Sequence, residues 1–296
     1  MATKTAAAAI APTAFVVRKG RPWHLTLRRN KRILIGGAIL LFMLLVAVFA
    51  PVITPRDPNT VQPDIRLAVP SGAHPFGTDN MGRDLFSRTV YGAQISLLVG
   101  GMVAFLAALA GTTGGLLGGY YKKVDLVLMR IMDGMMAFPS IILAVGIMAA
   151  LGAQVTNVIV ALAIVETPRI MRVVRSVVMG IRNAQYVEAA RSVGARDARL
   201  LVRHILPNCI SPLIVQSTFV FGTAVLGEAS LSFLGVGVPP DRPSWGTILG
   251  EARLYISTAP WMMFLPGSAL TITVLGLNLL GDGIRDWLDP RLRRNM

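Results

Sequence analysis

Three carboxylates stand inside apolar stretches of the sequence, where a charged group is costly and usually has a purpose. They are Asp133, Glu166 and Glu228. Ionisable groups at membrane depth typically face protein or a water-filled path, and they often mark an ion or substrate pathway. Glu166 has a basic residue three positions on, Arg169, so a structural pair is favoured there. Glu228 has no such neighbour and, with Asp133, is a candidate pathway or inter-subunit residue.

The sequence lacks the residue patterns expected for intramembrane hydrolysis, for a disulfide or for nucleotide binding. Intramembrane hydrolysis needs a Ser/His pair, paired carboxylates or a metal cluster, and the histidines lie outside the apolar stretches, at His24, His74 and His204. Cys209 is the only cysteine, so an internal disulfide is excluded. The Gly-rich stretch 111–119 runs into two tyrosines instead of the Lys-Ser or Lys-Thr of a P-loop. We therefore expect no catalytic, cofactor-binding or metal-binding residue.

A polar, basic segment at about 180–208, called the basic loop below, separates two apolar stretches. It carries Glu188, Ala189 and Ala190, then Gly194 with Ala195 and Arg196, and finally Leu206 and Pro207. Helices are predicted on both sides of Gly194, over 175–186 and 196–204. Glycine accepts positive φ, so Gly194 can end the first helix and turn the chain into the second. Glu188 is placed to pair with Arg191 or with an arginine of a partner.

Three arginines of the second predicted helix share one face, at Arg196, Arg199 and Arg203. A docking surface would explain this stripe. The bias of basic residues toward the cytoplasmic side, together with contact with anionic lipid, is the explanation that we favour.

The elements that must position these residues are membrane helices. The 296 residues are 53% apolar with a mean hydropathy of +0.60, above an ordinary soluble domain. Several stretches reach the roughly 20 residues that a spanning helix needs. The predicted spans lie at about 33–53, 95–120, 126–151, 158–174, 210–234 and 261–280. We therefore predict an all-α integral membrane protein with six transmembrane helices, in which 1–32 and 285–296 are cytoplasmic and 33–284 form one domain.

Charge sets the orientation. Of the 29 Lys and Arg residues, 23 fall on the cytoplasmic side of this topology if both termini lie inside, as the positive-inside rule requires. The same distribution argues against nucleic acid as the reason for the net charge of +14. A cleaved signal peptide is the alternative for 33–53, but that run exceeds the roughly 7–15 residues of a signal core.

Small residues and one proline modify the spans. Gly111, Gly115 and Gly119 recur every four residues, which suits close helix packing within the chain or against a second subunit. Pro139 predicts a bend in the third span, either a gate hinge or a tolerated kink. Outside, Thr78 or Asp79 is expected to cap a separate amphipathic helix before the second span.

The basic loop resembles the cytoplasmic EAA loop of ABC importer permeases in its Glu-Ala-Ala, its glycine and its Leu-Pro pair. His204 stands where that family usually has an aliphatic residue, but His-Ile-Leu-Pro-Asn is frequent in its peptide-transporting branch. Further stretches resemble permeases of the dipeptide/oligopeptide/nickel importers, in particular the partner with the shorter N-terminus. These stretches are 74–97, 228–235 with Trp245-Gly246, and 278–290.

The resemblance implies a type I permease fold and a bacterial cytoplasmic (inner) membrane location. It also implies partners: a second homologous permease, two ATPase subunits that bind ATP and magnesium, and an extracytoplasmic substrate-binding protein. The basic loop would contain a coupling helix that docks on the ATPase. An ion-coupled secondary transporter is the alternative, and the substrate stays open among dipeptides, oligopeptides, glutathione-like peptides, nickel chelates and some sugars.

Overall fold

The computed structural model describes residues 30–54 and 56–288, which are helical with no strand. Short 3-10 turns lie at Pro63–Ile65 and Arg253–Tyr255, and a π-helical turn lies at Leu200–Ile205. The α-helices are α1 (Lys31–Val48), α2 (Ala50–Ile53), α3 (Leu85–Tyr120), α4 (Lys122–Met136), α5 (Ser140–Leu151), α6 (Val155–Ile181), α7 (Gln185–Ser192), α8 (Asp197–Arg199), α9 (Leu206–Phe233), α10 (Trp245–Ala252) and α11 (Trp261–Leu288). The all-α prediction is confirmed.

Four helical stretches are long and apolar enough to cross a bilayer: α1, α3, the run Asp197–Phe233 that ends in α9, and α11. A fifth forms if α4 and α5 together make one broken span. α6 has 27 residues and is therefore about 40 Å long, but Glu166 and three arginines interrupt its apolar sequence. The count of six spans and the inward termini stay predictions.

The start of α3 differs from the expected arrangement. α3 begins at Leu85, and Asp84 caps it by accepting the Ser87 N–H at 2.8 Å. No separate amphipathic helix capped by Thr78 or Asp79 precedes it. Asp79 instead accepts hydrogen bonds from the backbone N–H groups of Met81 (2.8 Å) and Arg83 (2.9 Å). That turn contains Gly82 at φ +76°, a left-handed conformation that stops a helix.

The predicted third span is two helices. α4 ends at Met136, α5 begins at Ser140, and their axes differ by 96°. Pro139 occupies the N-cap of α5, where its missing N–H and fixed φ favour the start of a helix over its interior. The bend expected at Pro139 is therefore a break, and whether it acts as a gate hinge stays a prediction.

Gly111, Gly115 and Gly119 bring α3 against α6. A Cβ atom added to any of these three would collide with a branched side chain of α6. The would-be distances are 2.7 Å from Gly111 to the Cβ of Ile170, 2.7 Å from Gly115 to that of Val174, and 2.5 Å from Gly119 to that of Val178. Of the two alternatives for this glycine face, packing within the chain is the one that the structure adopts.

Gly115→Ala is expected to destabilise the protein by about 2 kcal/mol, because α3 and α6 must separate to admit the methyl group. Thermal unfolding in detergent measures the change. Gly101→Ala is the matched control in the same helix, since the nearest atom to its added Cβ is the Phe221 Cζ at 3.9 Å. Equal melting temperatures for the two variants would contradict the tight packing at Gly115.

α1 lies at the edge of the bundle. It packs on α11 through Gly36, whose added Cβ would lie 2.6 Å from the Gly276 carbonyl oxygen. Only 17% of its apolar window is buried, so most of the α1 surface is left for lipid or another subunit.

Candidate functional site

The basic loop forms two short helical segments joined at a tight turn. α7 ends at Ser192, and Gly194 follows with φ +87°. The Gly194 N–H donates to the Arg191 carbonyl (2.9 Å), and the Ala195 N–H donates to the Ala190 carbonyl (3.1 Å). This pair of bonds closes a helix end that requires a left-handed residue just beyond it. The expected conformational role of Gly194 is confirmed.

The loop presents an exposed tip on a buried base. Val187, Leu200 and Ile205 are fully buried, whereas Val193 at the tip is 85% exposed. The Glu188 side chain is exposed and forms no ion pair or hydrogen bond among the described residues. The other residues predicted for coupling are exposed (Ala189, Gly194, Arg196, Pro207) or half-buried (Ala190, Ala195, Leu206). The tip thus exposes the apolar Val193 and the acidic Glu188.

Two tyrosines at the C-terminal end of α3 hold this loop in place. The hydroxyl groups of Tyr120 and Tyr121 donate to the two oxygens of the Asp197 carboxylate, at 2.7 and 3.0 Å. Arg191 donates to the Tyr120 hydroxyl at 3.1 Å and lies over its ring. The loop is therefore tethered to α3 on both sides of Gly194. We call these contacts the tyrosine tether.

Two details of the loop differ from the helical arrangement expected. Arg191 contacts Tyr120 and forms no ion pair with Glu188, and the alternative pairing of Glu188 with an arginine of a partner stays a prediction. Arg196 precedes α8 as its N-cap residue, and the π-helical turn separates Arg199 from the residues that follow. The three arginines are exposed but do not form one α-helical stripe. Pro207, which cannot donate a backbone hydrogen bond, accounts for the wide turn before α9.

The loop also contains a break that was not predicted. α6 ends at Ile181 and α7 begins at Gln185, whereas one helix was expected over 175–186. Arg182 stabilises the break by donating to the Gly119 carbonyl at 2.9 Å.

Carboxylates of α4 are paired with arginines of α6. Asp133 accepts from the Arg172 Nη2 at 2.6 Å, with both side chains largely exposed. Asp125 receives two hydrogen bonds from Arg175, of which the Nη2–Oδ2 bond is 2.6 Å. Among the described residues no three His, Cys, Asp or Glu side chains converge as metal ligands. The pathway role of Asp133 stays a prediction.

The expected pair of Glu166 and Arg169 is present. The Arg169 Nη1 lies 3.2 Å from the Glu166 Oε2. The pair borders a cavity of about 230 Å³ between α5, α6 and α9, close to the break at Pro139.

Glu228 is fully buried and surrounded by serines. Its Oε1 accepts from Ser232 (2.8 Å) and Ser244 (2.7 Å), and its Oε2 accepts from Ser96 (2.9 Å). These donors belong to α9, to the cap of α10 and to α3. One carboxylate therefore joins three helices. It lies inside the chain, and its predicted pathway or inter-subunit role stays a prediction.

Four charged residues form a cluster at the N-terminal end of α3, on the side of the protein that the predicted topology places outside. We call them the outer ion cluster. Arg83 donates to Asp79 (2.6 Å) and Glu251 (2.7 Å). Arg88, fully buried, contacts Asp79 (3.3 Å) and Glu251 (3.1 Å). Sequence reasoning missed this site, because Glu251 lies 168 residues from Arg83 and no local spacing connects them.

Glu251→Gln is expected to lower the stability of the protein by about 2 kcal/mol, because Arg83 and Arg88 would share the single charge of Asp79. The partial exposure of Glu251, 19%, keeps the effect below that of a fully buried pair. Thermal unfolding measures it. Asp241→Asn, in the exposed loop before α10, is the control, and an equal change in both variants would contradict a special role for the cluster.

Asp84 holds the neighbouring turn together. Burial alone would raise its pKa, but hydrogen bonds from the Ser87 N–H, from His74 and from the Ser87 hydroxyl hold the pKa below its usual value. A lowered pKa means that this stabilisation is present above the ordinary pKa of Asp and is lost as the pH falls through the lowered value.

Residues 110–294 match the family of binding-protein-dependent transport system inner membrane components. Residues 21–70 match the N-terminal transmembrane domain of oligopeptide transport permease C.

Several named proteins are similar over nearly the whole chain. A protein of Brucella abortus named as a peptide transport system permease is 50% identical over 267 residues, 90% of each chain. The dipeptide transport system permease protein DppC of Alkalihalophilus pseudofirmus is 44% identical, covering 92% of this chain and 91% of that one. The glutathione transport system permease protein GsiD of Escherichia coli is 44% identical with the same coverage.

Among solved structures, an inward-facing form of the MetNI methionine ABC transporter matches with a TM-score of 0.57. The match covers 68% of this chain and 97% of that chain at 21% identity. This likeness concerns the fold.

Proposed function

The chain belongs to the family of binding-protein-dependent transport system inner membrane components, and from that premise we propose how it works. It is the permease subunit of an ABC importer for peptides. It provides half of a translocation path and performs no chemistry itself. ATP and magnesium are bound by the ATPase subunits.

The working importer contains this permease, a second homologous permease and two ATPase subunits in the bacterial cytoplasmic membrane. An extracytoplasmic binding protein delivers the solute to the outer mouth. The large open surface of α1 supports association with lipid or another subunit. Six spans with both termini inside would place the basic loop in the cytoplasm, in agreement with the distribution of Lys and Arg.

The observation that carries the proposal is the exposed, tethered tip of the basic loop. Val193 and Glu188 face outward, while Val187 and Leu200 fix the base in the bundle. A helix that is anchored at its base transmits a push instead of bending away from it. We propose that the stretch Glu188–Pro207 lies in a groove of an ATPase subunit and follows that subunit when ATP closes it.

The solute is proposed to be a small peptide. The relatives are named for dipeptide and glutathione transport, and both are peptides with charged ends. An ion-coupled secondary transporter is less well supported, because Asp133 and Glu166 are each paired with an arginine and Glu228 is enclosed by serines.

Co-purification tests the assembly. The tagged chain, expressed with the other transport genes, is expected to bring down a second permease and ATPase subunits. In proteoliposomes this complex should take up peptide only with ATP and the binding protein. A chain that purifies alone and moves solute without ATP would contradict the proposal and favour the secondary transporter.

A further inference from the structure

We propose that the cavity between α5, α6 and α9 is a transit site that recognises the charged ends of a peptide. In this site Glu166 receives the ammonium group, and Arg169 with the start of α5 receives the carboxylate. The inference rests on the proposed function, since it takes the solute to be a peptide.

The cavity combines a charged pair with hydroxyl groups on an apolar wall. Its volume is about 230 Å³. Glu166 and Arg169 line it from α6, Ser140 from α5, and Thr223 and Ser230 from α9. The remaining lining residues are alanine, leucine, isoleucine, valine and glycine. A few convergent polar groups on an apolar lining are typical of small-molecule sites.

Glu166 has capacity for a ligand. Its side chain is only 7% exposed, and its Oε2 accepts no hydrogen bond. Within the described part of the chain, the cation beside that oxygen is Arg169, whose own side chain is 41% exposed. A buried carboxylate oxygen without a hydrogen bond is costly, and an ammonium group with three donors would satisfy it.

The start of α5 supplies a second recognition element. The N-cap residue of α5 is Pro139, and no side chain caps this end. The first N–H groups of a helix have no acceptor within it, and the helix dipole favours an anion there. Ser140, the first residue of α5, lines the cavity. A carboxylate between this helix end and Arg169 would be neutralised from both sides.

Both elements lie at the same depth of the span. Ser140 and Glu166 are each eleven residues from the end of their helix at the turn that joins α5 to α6, a turn that the predicted topology places outside. At 1.5 Å per residue this distance is about 16 Å, half of the roughly 30 Å hydrocarbon core. The broken span thus exposes a helix end near the middle of the membrane, where a passing solute is furthest from water on either side.

The size of the cavity suits one half of a site. Small-molecule sites usually enclose about 300 Å³ or more, and this cavity is smaller. One of its lining residues, Leu226, is exposed in this chain. A second permease would complete the enclosure, so that each permease contributes one wall to the transit site.

The test compares peptides that lack one charge. The complete importer, with its binding protein, is reconstituted in proteoliposomes and given Ala-Ala, N-acetyl-Ala-Ala and Ala-Ala amide. Uptake is measured for wild type, Glu166→Gln and Arg169→Gln. Arg172→Gln is the matched control, because Arg172 lies one turn away on α6 in an exposed pair outside the cavity. Co-purification with the ATPase subunits shows that each variant assembles.

For each variant we take the ratio of the uptake of two peptides. The preference of the binding protein affects this ratio equally in every variant, so a difference in the ratio between variants reports on the permease. Glu166→Gln is expected to reduce the preference for Ala-Ala over its N-acetyl form about tenfold. Arg169→Gln should reduce the preference for Ala-Ala over its amide form by a similar factor. Arg172→Gln should change neither ratio.

Unchanged ratios in an importer that moves Ala-Ala with ATP would overturn this inference and leave the proposed function intact, with Glu166 and Arg169 as a structural pair. A wild-type complex that assembles with its partners but moves no alanine peptide would overturn the peptide as solute and the transit site with it.

Discussion

Gly194→Val is expected to reduce transport-coupled ATP hydrolysis at least about tenfold, whereas Gly194→Asn should retain most of it. Gly194 has φ +87°, a conformation that costs L-residues about 1–2 kcal/mol, more for branched side chains and less for asparagine. No atom lies within 4 Å of a Cβ added there. A side chain at this position therefore starts in open space among the described residues, and we expect valine to act by changing the turn that orients α7 and α8.

The measurement is peptide-stimulated ATPase activity of the reconstituted importer, with co-purification as a control for assembly. Asparagine keeps the left-handed turn but adds a side chain. It therefore separates the effect of the turn conformation from the effect of side-chain size. If Gly194→Asn is as inactive as Gly194→Val, the ATPase subunit lies directly against Gly194 and excludes any side chain. If both variants are fully active, the predicted coupling role of this turn is wrong.

Glu228→Ala is expected to destabilise the protein by about 4 kcal/mol. The substitution removes the acceptor of three serine hydroxyls, at Ser96, Ser232 and Ser244. Each buried group left without a partner costs about 1–3 kcal/mol, and the cavity adds to the loss. Because the serines belong to different elements, α3, α9 and α10 should loosen together. Thermal unfolding in detergent measures the change.

Glu228→Gln is the matched control, since it keeps the shape and one acceptor oxygen and is expected to lose only about 1 kcal/mol. The same variant tests the predicted pathway role. A Glu228→Gln protein with nearly normal stability and uptake supports a structural carboxylate. Normal stability with abolished uptake would support a place in the pathway.

Much of the fold could be predicted from local sequence. Apolar stretches of sufficient length locate most of the membrane helices, because a helix must satisfy its own backbone in lipid. Gly194 was predictable as a turn, since few residues accept positive φ. The pair of Glu166 and Arg169 was predictable as well, because residues three apart on a helix are neighbours.

The parts that were missed depend on contacts between distant segments. In the tyrosine tether, Asp197 lies 77 positions from Tyr120 and 76 positions from Tyr121. The outer ion cluster joins α10 to the start of α3. Neither has a spacing that a reading along the chain can recognise. Asp84 replaced Thr78 and Asp79 as the helix cap because Asp79 is occupied by the turn and by Arg83.

The third span shows how hydropathy alone can mislead. Residues 126–151 are apolar enough to be predicted as one helix, yet α4 and α5 differ in direction by 96°. The composition indicates only that the stretch is apolar enough to lie in lipid. The direction of each half depends on what it packs against: α4 on α6 through Asp125 and Asp133, and α5 on α6 and α9 through apolar contacts.

α3 reaches from one face of the protein to the other in a single piece. Its 36 residues measure about 54 Å, with the tyrosine tether at one end and the outer ion cluster at the other. Its glycines lock it against α6, so the two helices must tilt as one rod. A tilt of about 10° would move the far end of such a rod by about 9 Å. A rod that pivots near the basic loop would thus convert a small change of angle there, without any bending of the backbone, into a motion at the opposite end of α3 as wide as a helix.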